Sequence, residues 1–93
     1  MSSDDERYDV QLTGTARRDL TRTSPRIVPA VIEFVYGELT RHPARVGKPL
    51  GRELAGLFSA RRGPYRVLYR LDEDSRTVFV LRVDHRGEVY RPR

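Results

Sequence analysis

Four groups toward the C-terminal end of this sequence, Arg66, His85, Arg86 and Tyr90, have the chemistry to act together on a phosphodiester. Guanidinium forks bind phosphate oxygens two at a time and stay charged at any working pH. Histidine is the natural proton carrier near neutrality. Arg66 and Arg70 alternate along one extended segment and Arg82 lies on a neighbouring one. With strands about 5 Å apart, these side chains are expected to converge on one sheet face. The competing expectation for each arginine alone is a solvated sheet face, paired with Asp72, Glu73, Asp84 or Glu88. His85 alone reads as a surface histidine at a strand end, and Tyr65 and Tyr69 read as packing residues rather than stacking platforms.

Such a site needs a sheet to hold it, and the hydropathy pattern supplies one. Tyr8, Val10 and Leu12 alternate with polar residues, which predicts a first strand. Thr15 is expected to cap a short helix from Ala16 to Leu20. Ser24 and Pro25 then read as the start of the main helix, with Ile27, Val31, Phe34, Val35 and Leu39 at helical spacing. Pro29 lacks the amide hydrogen that an early start requires, so the helix either begins late or bends there. His42 and Pro43 are expected to end it, and Arg45 to Pro49 to form an exposed connection. Beyond a turn at Arg61 to Pro64, two alternating runs follow: Tyr65, Val67, Tyr69, Leu71 and then Thr77, Phe79, Leu81, Val83. Asp72 to Ser75 is the hairpin turn between them, and a last extended piece is expected from Glu88 to Tyr90. The order predicts an α+β fold: an N-terminal strand, two helices, then a three- to four-stranded antiparallel sheet with one face uncovered.

Composition sets the outer limits. A chain of 93 residues has room for one core, so residues 7–93 are expected to form a single domain behind a disordered acidic leader, residues 1–6. Cysteine is absent, which removes disulfides and thiolate chemistry. No apolar run reaches the roughly 18 residues of a membrane span, so a cytoplasmic location without membrane contact is expected. Of 18 basic residues, only Lys48 is lysine. Residues 1–40 carry five basic and seven acidic side chains (5 − 7 = −2), and residues 41–93 carry thirteen and six (13 − 6 = +7). The positive field therefore belongs to the second half, where it suits nucleic acid or an acidic partner.

The segments Gly47–Asp72 (GKPLGRELAGLFSARRGPYRVLYRLD) and Val78–Tyr90 (VFVLRVDHRGEVY) resemble the RelE family of type II toxin-antitoxin toxins. The linked pattern KPL, LxG, SxRxGxYRVxY and HRxxVY carries the resemblance, which extends over nearly the whole chain from Tyr8 and is closest to actinobacterial members. It implies a compact microbial-RNase-like fold and a metal-independent endoribonuclease that cleaves mRNA in the ribosomal A site. It also implies a cognate antitoxin, with DNA binding only through the antitoxin complex and no cofactor.

The resemblance assigns roles as well. Arg66 is expected to stabilise charge on the scissile phosphate, Arg86 to sit near the leaving group, and Tyr90 to stack on a base or help activate the 2′-hydroxyl. Lys48, Arg52 and Arg61 fall where relatives grip RNA, and Arg62, Arg70 and Arg82 add to that basic set. Some relatives carry two lysines just before the arginine turn, where this chain has Leu57 and Ser59. Proton transfer is therefore expected from His85 or Tyr90. The rival reading is a ParE-like toxin, of the same fold, that poisons DNA gyrase without cutting RNA.

Overall fold

The computed structural model describes residues 7–51 and 56–85. Along them run β1 (Asp9–Leu12), α1 (Gly14–Arg22), α2 (Val28–Tyr36), α3 (Glu38–Arg41), α4 (Pro43–Val46), β2 (Lys48–Pro49), β3 (Leu57–Arg62), β4 (Tyr65–Asp72) and β5 (Thr77–His85). They build one mixed sheet in the order β1-β5-β4-β3-β2. The strands from β2 to β5 pair antiparallel, as the turn spacing predicts. β1 lies parallel to β5, with Val10 opposite Val78 and Leu12 opposite Val80. A parallel neighbour requires a long crossover, and here everything from α1 to β4 provides it. Among the described residues no helix is long and apolar enough to cross a membrane. The expected leader, residues 1–6, and the extended piece from Glu88 to Tyr90 lie outside the described residues.

The helices follow from their caps and prolines. Thr13, two residues earlier than expected, caps α1: its Oγ1 accepts from the Ala16 amide at 3.1 Å and donates to the Leu81 carbonyl at 3.1 Å. One side chain thus starts the helix and ties it to β5. α2 resolves the Pro29 question in favour of a late start at Val28, because the Ser24 carbonyl takes the Ile27 and Val28 amides at 2.8 and 3.2 Å in a preceding turn. Val31, Phe34 and Val35 are buried from α2 as their spacing predicts. Leu39 is buried from α3 instead, after a break at Gly37, where a Cβ would stand 2.7 Å from the Glu33 carbonyl oxygen. The connection expected from Arg45 to Pro49 holds the end of α4 and all of β2, since Pro43 opens a new turn rather than ending structure.

Between the helices and one sheet face lies the core: Val31, Phe34, Val35 and Leu39 against Ala60, Tyr65, Val67, Tyr69, Val78, Val80 and Val83. Tyr69 is fully buried, stacks on Phe58 at 5.5 Å and donates its hydroxyl to the Pro43 carbonyl. Gly47 is required beside it, because a Cβ there would strike that hydroxyl and reach 3.0 Å from the ring carbon that bears it. The GKPL segment therefore begins with a residue chosen by sterics.

β4 alternates as expected, but β5 does not. A register shift at Leu68/Tyr69 sets Leu68 opposite Arg82 and Tyr69 opposite Val80, which leaves Leu81 as an extra residue. The inward set on β5 is thus Val78, Val80 and Val83, not the run through Thr77, Phe79, Leu81 and Val83. Without the bulge Arg82 would follow Val80 into the core. With it, Arg82 and Asp84 point to the uncovered face while Val83 and His85 turn toward the helices.

Candidate functional site

Strand register arranges the uncovered face in cross-strand rows. Arg61, Arg66 and Asp84 form one row across β3, β4 and β5. Lys48, Ser59, Leu68 and Arg82 form the next, from β2 to β5. Leu57, Arg70, Phe79 and Gln11 form a third, from β3 across to β1. At about 4.8 Å per strand, Lys48 and Arg82 mark the ends of a strip about 15 Å wide. Lys48, Arg61, Arg66, Arg70 and Arg82 are all exposed on it.

These cations differ in how tightly they are held. Arg82 is fixed: its Nε donates to Asp19 Oδ2 at 3.0 Å, and Nη2 lies 3.7 Å from Asp84 Oδ1. The Asp19 hydrogen bond, followed by the charges of Asp19 and Asp84, raises its already high pKa further. Arg70 lays its guanidinium over the Phe79 ring at 5.3 Å. Lys48, Arg61 and Arg66 form no ion pair among the described residues. Arg66 faces Asp84 in register, yet the ion pair of that carboxylate is with Arg82. Among the described residues, the centre of the strip therefore offers guanidiniums without an ion-pair partner to an anion.

Not every expected residue joins them. Arg62 turns to the helix side, where it pairs with Glu38 Oε1 at 2.8 Å and covers the Phe34 ring at 4.9 Å. Its neighbour Arg61 points the other way, as adjacent strand residues must. His85 sits within β5 rather than beyond it, opposite Tyr65 and partly buried, on the face away from Arg66. Arg52, Arg86 and Tyr90 lie outside the described residues. Leu57 and Ser59, the positions of the lysine pair in some relatives, do face the strip. Tyr65 and Tyr69 are buried packing residues, as their sequence context predicts. Burial raises both phenols, that of Tyr69 to about 12, which removes them from proton transfer near neutrality.

Two acids belong to the site's surroundings: Asp84, expected as an arginine partner and found beside Arg82, and Asp19, for which the sequence carries no local signal. Asp84 reaches the strip only because of the bulge. Asp19 arrives from α1, 63 positions away from Arg82 along the chain.

Comparison with known proteins matches this architecture closely. The family model for the ParE toxin of type II toxin-antitoxin system, parDE, matches residues 10–90. Toxin RelG of Mycobacterium tuberculosis is 63% identical over 84 residues, covering 90% of this chain and 97% of that protein. Toxin RelE of the same organism is 47% identical over 89 residues, covering 96% and 92%. The toxin-antitoxin complex RelBE2 from Mycobacterium tuberculosis has a TM-score of 0.82 at 64% identity, with 86% of this chain and 99% of that chain covered. The isolated E. coli RelE toxin shares the fold at 15% identity and a TM-score of 0.70, with 84% and 83% covered. Identity of this degree, sustained over nearly the whole of two toxins, means that the chain belongs to the RelE toxins of type II toxin-antitoxin systems, within the RelE/ParE superfamily.

Proposed function

We propose that the protein is a ribosome-dependent mRNA endoribonuclease, acting in the A site, that arrests translation until a cognate antitoxin neutralises it. The observation that carries this reading is the strip itself: among the described residues, Arg66 and Arg61 stand side by side without an ion-pair partner on an uncovered sheet face. In the reaction the 2′-oxygen of the message attacks the adjacent phosphorus. A new P–O2′ bond forms, the P–O5′ bond breaks, and a 2′,3′-cyclic phosphate and a free 5′-hydroxyl result. One proton leaves the 2′-hydroxyl and one reaches the departing 5′-oxygen. Arg66 neutralises the phosphorane between these events, a contribution of roughly 3 to 4 kcal/mol for one well-placed donor. Arg86 supports the leaving group. Of His85 and Tyr90, the β5 register favours Tyr90 as the proton-transfer group, because His85 leaves its strand on the far side from Arg66.

The relative solved as a toxin-antitoxin complex supports a cognate antitoxin as partner, and charge complementarity favours an antitoxin that sets acidic side chains against the same strip. The site of action is then the cytoplasm. One observation favours a second reading, gyrase poisoning: the matching family model is described as a ParE toxin. Primer extension on translated messages after induction separates the two. Cuts in the A site are expected. DNA damage that depends on gyrase, without such cuts, would overturn the nuclease reading.

A further inference from the structure

The balance of −2 over residues 1–40 conceals a second basic surface. Three of its seven acids lie in residues 1–6, and two more, Glu33 and Glu38, belong to α2 and α3. Around α1 the charge is the reverse. Arg17, Arg18 and Arg22 are exposed, and the only acid of the helix, Asp19, is drawn inward onto Arg82 and the Val83 amide. At 3.6 residues per turn the three arginines fall within an arc of about 140° opposite the buried Ala16. None of them forms an ion pair among the described residues.

Folding alone gives no reason for this arrangement. Arg18 and Arg22 are one turn apart, and like charges at that spacing weaken a helix. Their helix packs only Ala16 fully into the core. The patch is also not isolated: Asp19, on the same helix, touches Arg82 at the end of the uncovered strip, and Arg22 follows Asp19 by three positions, the spacing of neighbours on a helix surface. The cationic surface thus turns the corner from the sheet onto α1.

We propose that Arg17, Arg18 and Arg22 bind the phosphate backbone of RNA flanking the strand held on the uncovered face. This rests on RNA being the toxin's substrate. Permanent charge on forked donors suits phosphate oxygens, and no base reading is needed for such a contact.

The test is binding of the full-length toxin to a 2′-O-methyl RNA of about 30 nucleotides, followed by fluorescence anisotropy across salt concentrations. That RNA has no attacking hydroxyl, so binding is read without cleavage. Replacing all three arginines (Arg17→Gln, Arg18→Gln, Arg22→Gln) is expected to lower the slope of log K against log salt by about 2, at roughly 0.7 per lost phosphate contact. Affinity near 0.1 M salt is expected to fall on the order of tenfold. The corresponding triple lysine variant is expected to keep the slope, and it guards against a loss of fold being read as a loss of contact. An unchanged slope in the glutamine variant overturns the proposal. So does a variant that keeps its RNA affinity and loses only binding to poly-L-glutamate, which would assign the patch to an acidic protein. Failure of the nuclease reading appears elsewhere, as absence of cuts by the wild-type protein, and leaves the slope comparison standing.

Discussion

A single carboxylate oxygen of Asp19 receives both the Val83 backbone amide at 2.8 Å and the Arg82 Nε at 3.0 Å. β1 ends at Leu12, opposite Val80, so the Val83 amide lies past the last strand pairing on that edge. Asp19 therefore completes the edge of β5 where the parallel neighbour stops, and it does so from a side chain only 11% exposed. The amide half of the contact dominates, because Arg82 is half exposed and solvent screens its charge. Asp19→Ala is expected to destabilise the fold by about 1 to 3 kcal/mol, the range for an orphaned buried donor. Thermal unfolding should show a drop of at least about 4 °C. Asp19→Asn, which keeps an acceptor, is expected to lose less.

Arg66 and Arg62 should separate function from stability. Arg66→Ala is expected to cut cleavage by roughly a hundred- to a thousandfold while shifting stability by no more than about 0.5 kcal/mol, since the side chain is exposed and forms no ion pair among the described residues. Arg62→Ala removes the Glu38 pair and uncovers Phe34. It is expected to lower stability by about 0.5 to 1 kcal/mol and to leave the cleavage rate of the folded protein unchanged. Cut rates in a translation extract, set beside melting curves, check both.

Gly47 and Tyr69 form a steric pair. Gly47→Ala is expected to lose about 2 kcal/mol or more, as overpacking against a rigid buried ring does. Tyr69→Phe alone loses the hydrogen bond to Pro43, on the order of 1 kcal/mol. The double variant should be more stable than the sum of the two losses, because the hydroxyl that the new methyl strikes is gone. Urea unfolding of the four proteins measures that coupling.

Alkaline pH should reveal the same tyrosine. Its folded pKa, pushed up by burial to about 12, lies above the ordinary value of 10.0. The neutral phenol is therefore favoured by folding. Its stabilising contribution is complete below pH 10 and is lost as pH rises toward 12, where the unfolded chain ionises first. Tyr65, also raised by burial, adds in the same direction. Stability followed by circular dichroism should fall across this window, and Tyr69→Phe should flatten the fall.

Much of this architecture was legible from local pattern. The alternation of Tyr65, Val67 and Tyr69 with Arg66 and Arg70 located β4 and assigned both of its faces, because period 2 is a local property of one strand. The helical spacing of Val31, Phe34 and Val35 worked for the same reason. The β5 bulge was not legible: one extra residue between Val80 and Val83 alters neither composition nor turn signals, yet it lets Val80 and Val83 share the inward face and turns His85 away from Arg66, while Arg82 stays on the face expected of it. Arg61 and Arg62 looked equivalent in sequence and separated only once the turn fixed their register. Asp19 had no signal, since its partners lie 63 and 64 positions away.

The parallel pairing of β1 with β5 also governs when the toxin comes into being. Thr13, just past the end of β1, bonds to Leu81 across 68 positions of chain, and among the described residues β1 pairs only with β5, the last strand. A nascent chain stopped before Thr77 has no seat for its first strand, no anchor for Thr13 and no Val83 amide for Asp19 to cap. Closing so distant a contact comes late and slowly compared with local hairpins. Loss of β5 would thus cost three distant anchors together: the β1 pairing, the Thr13 contact with Leu81 and the Asp19 cap on Val83.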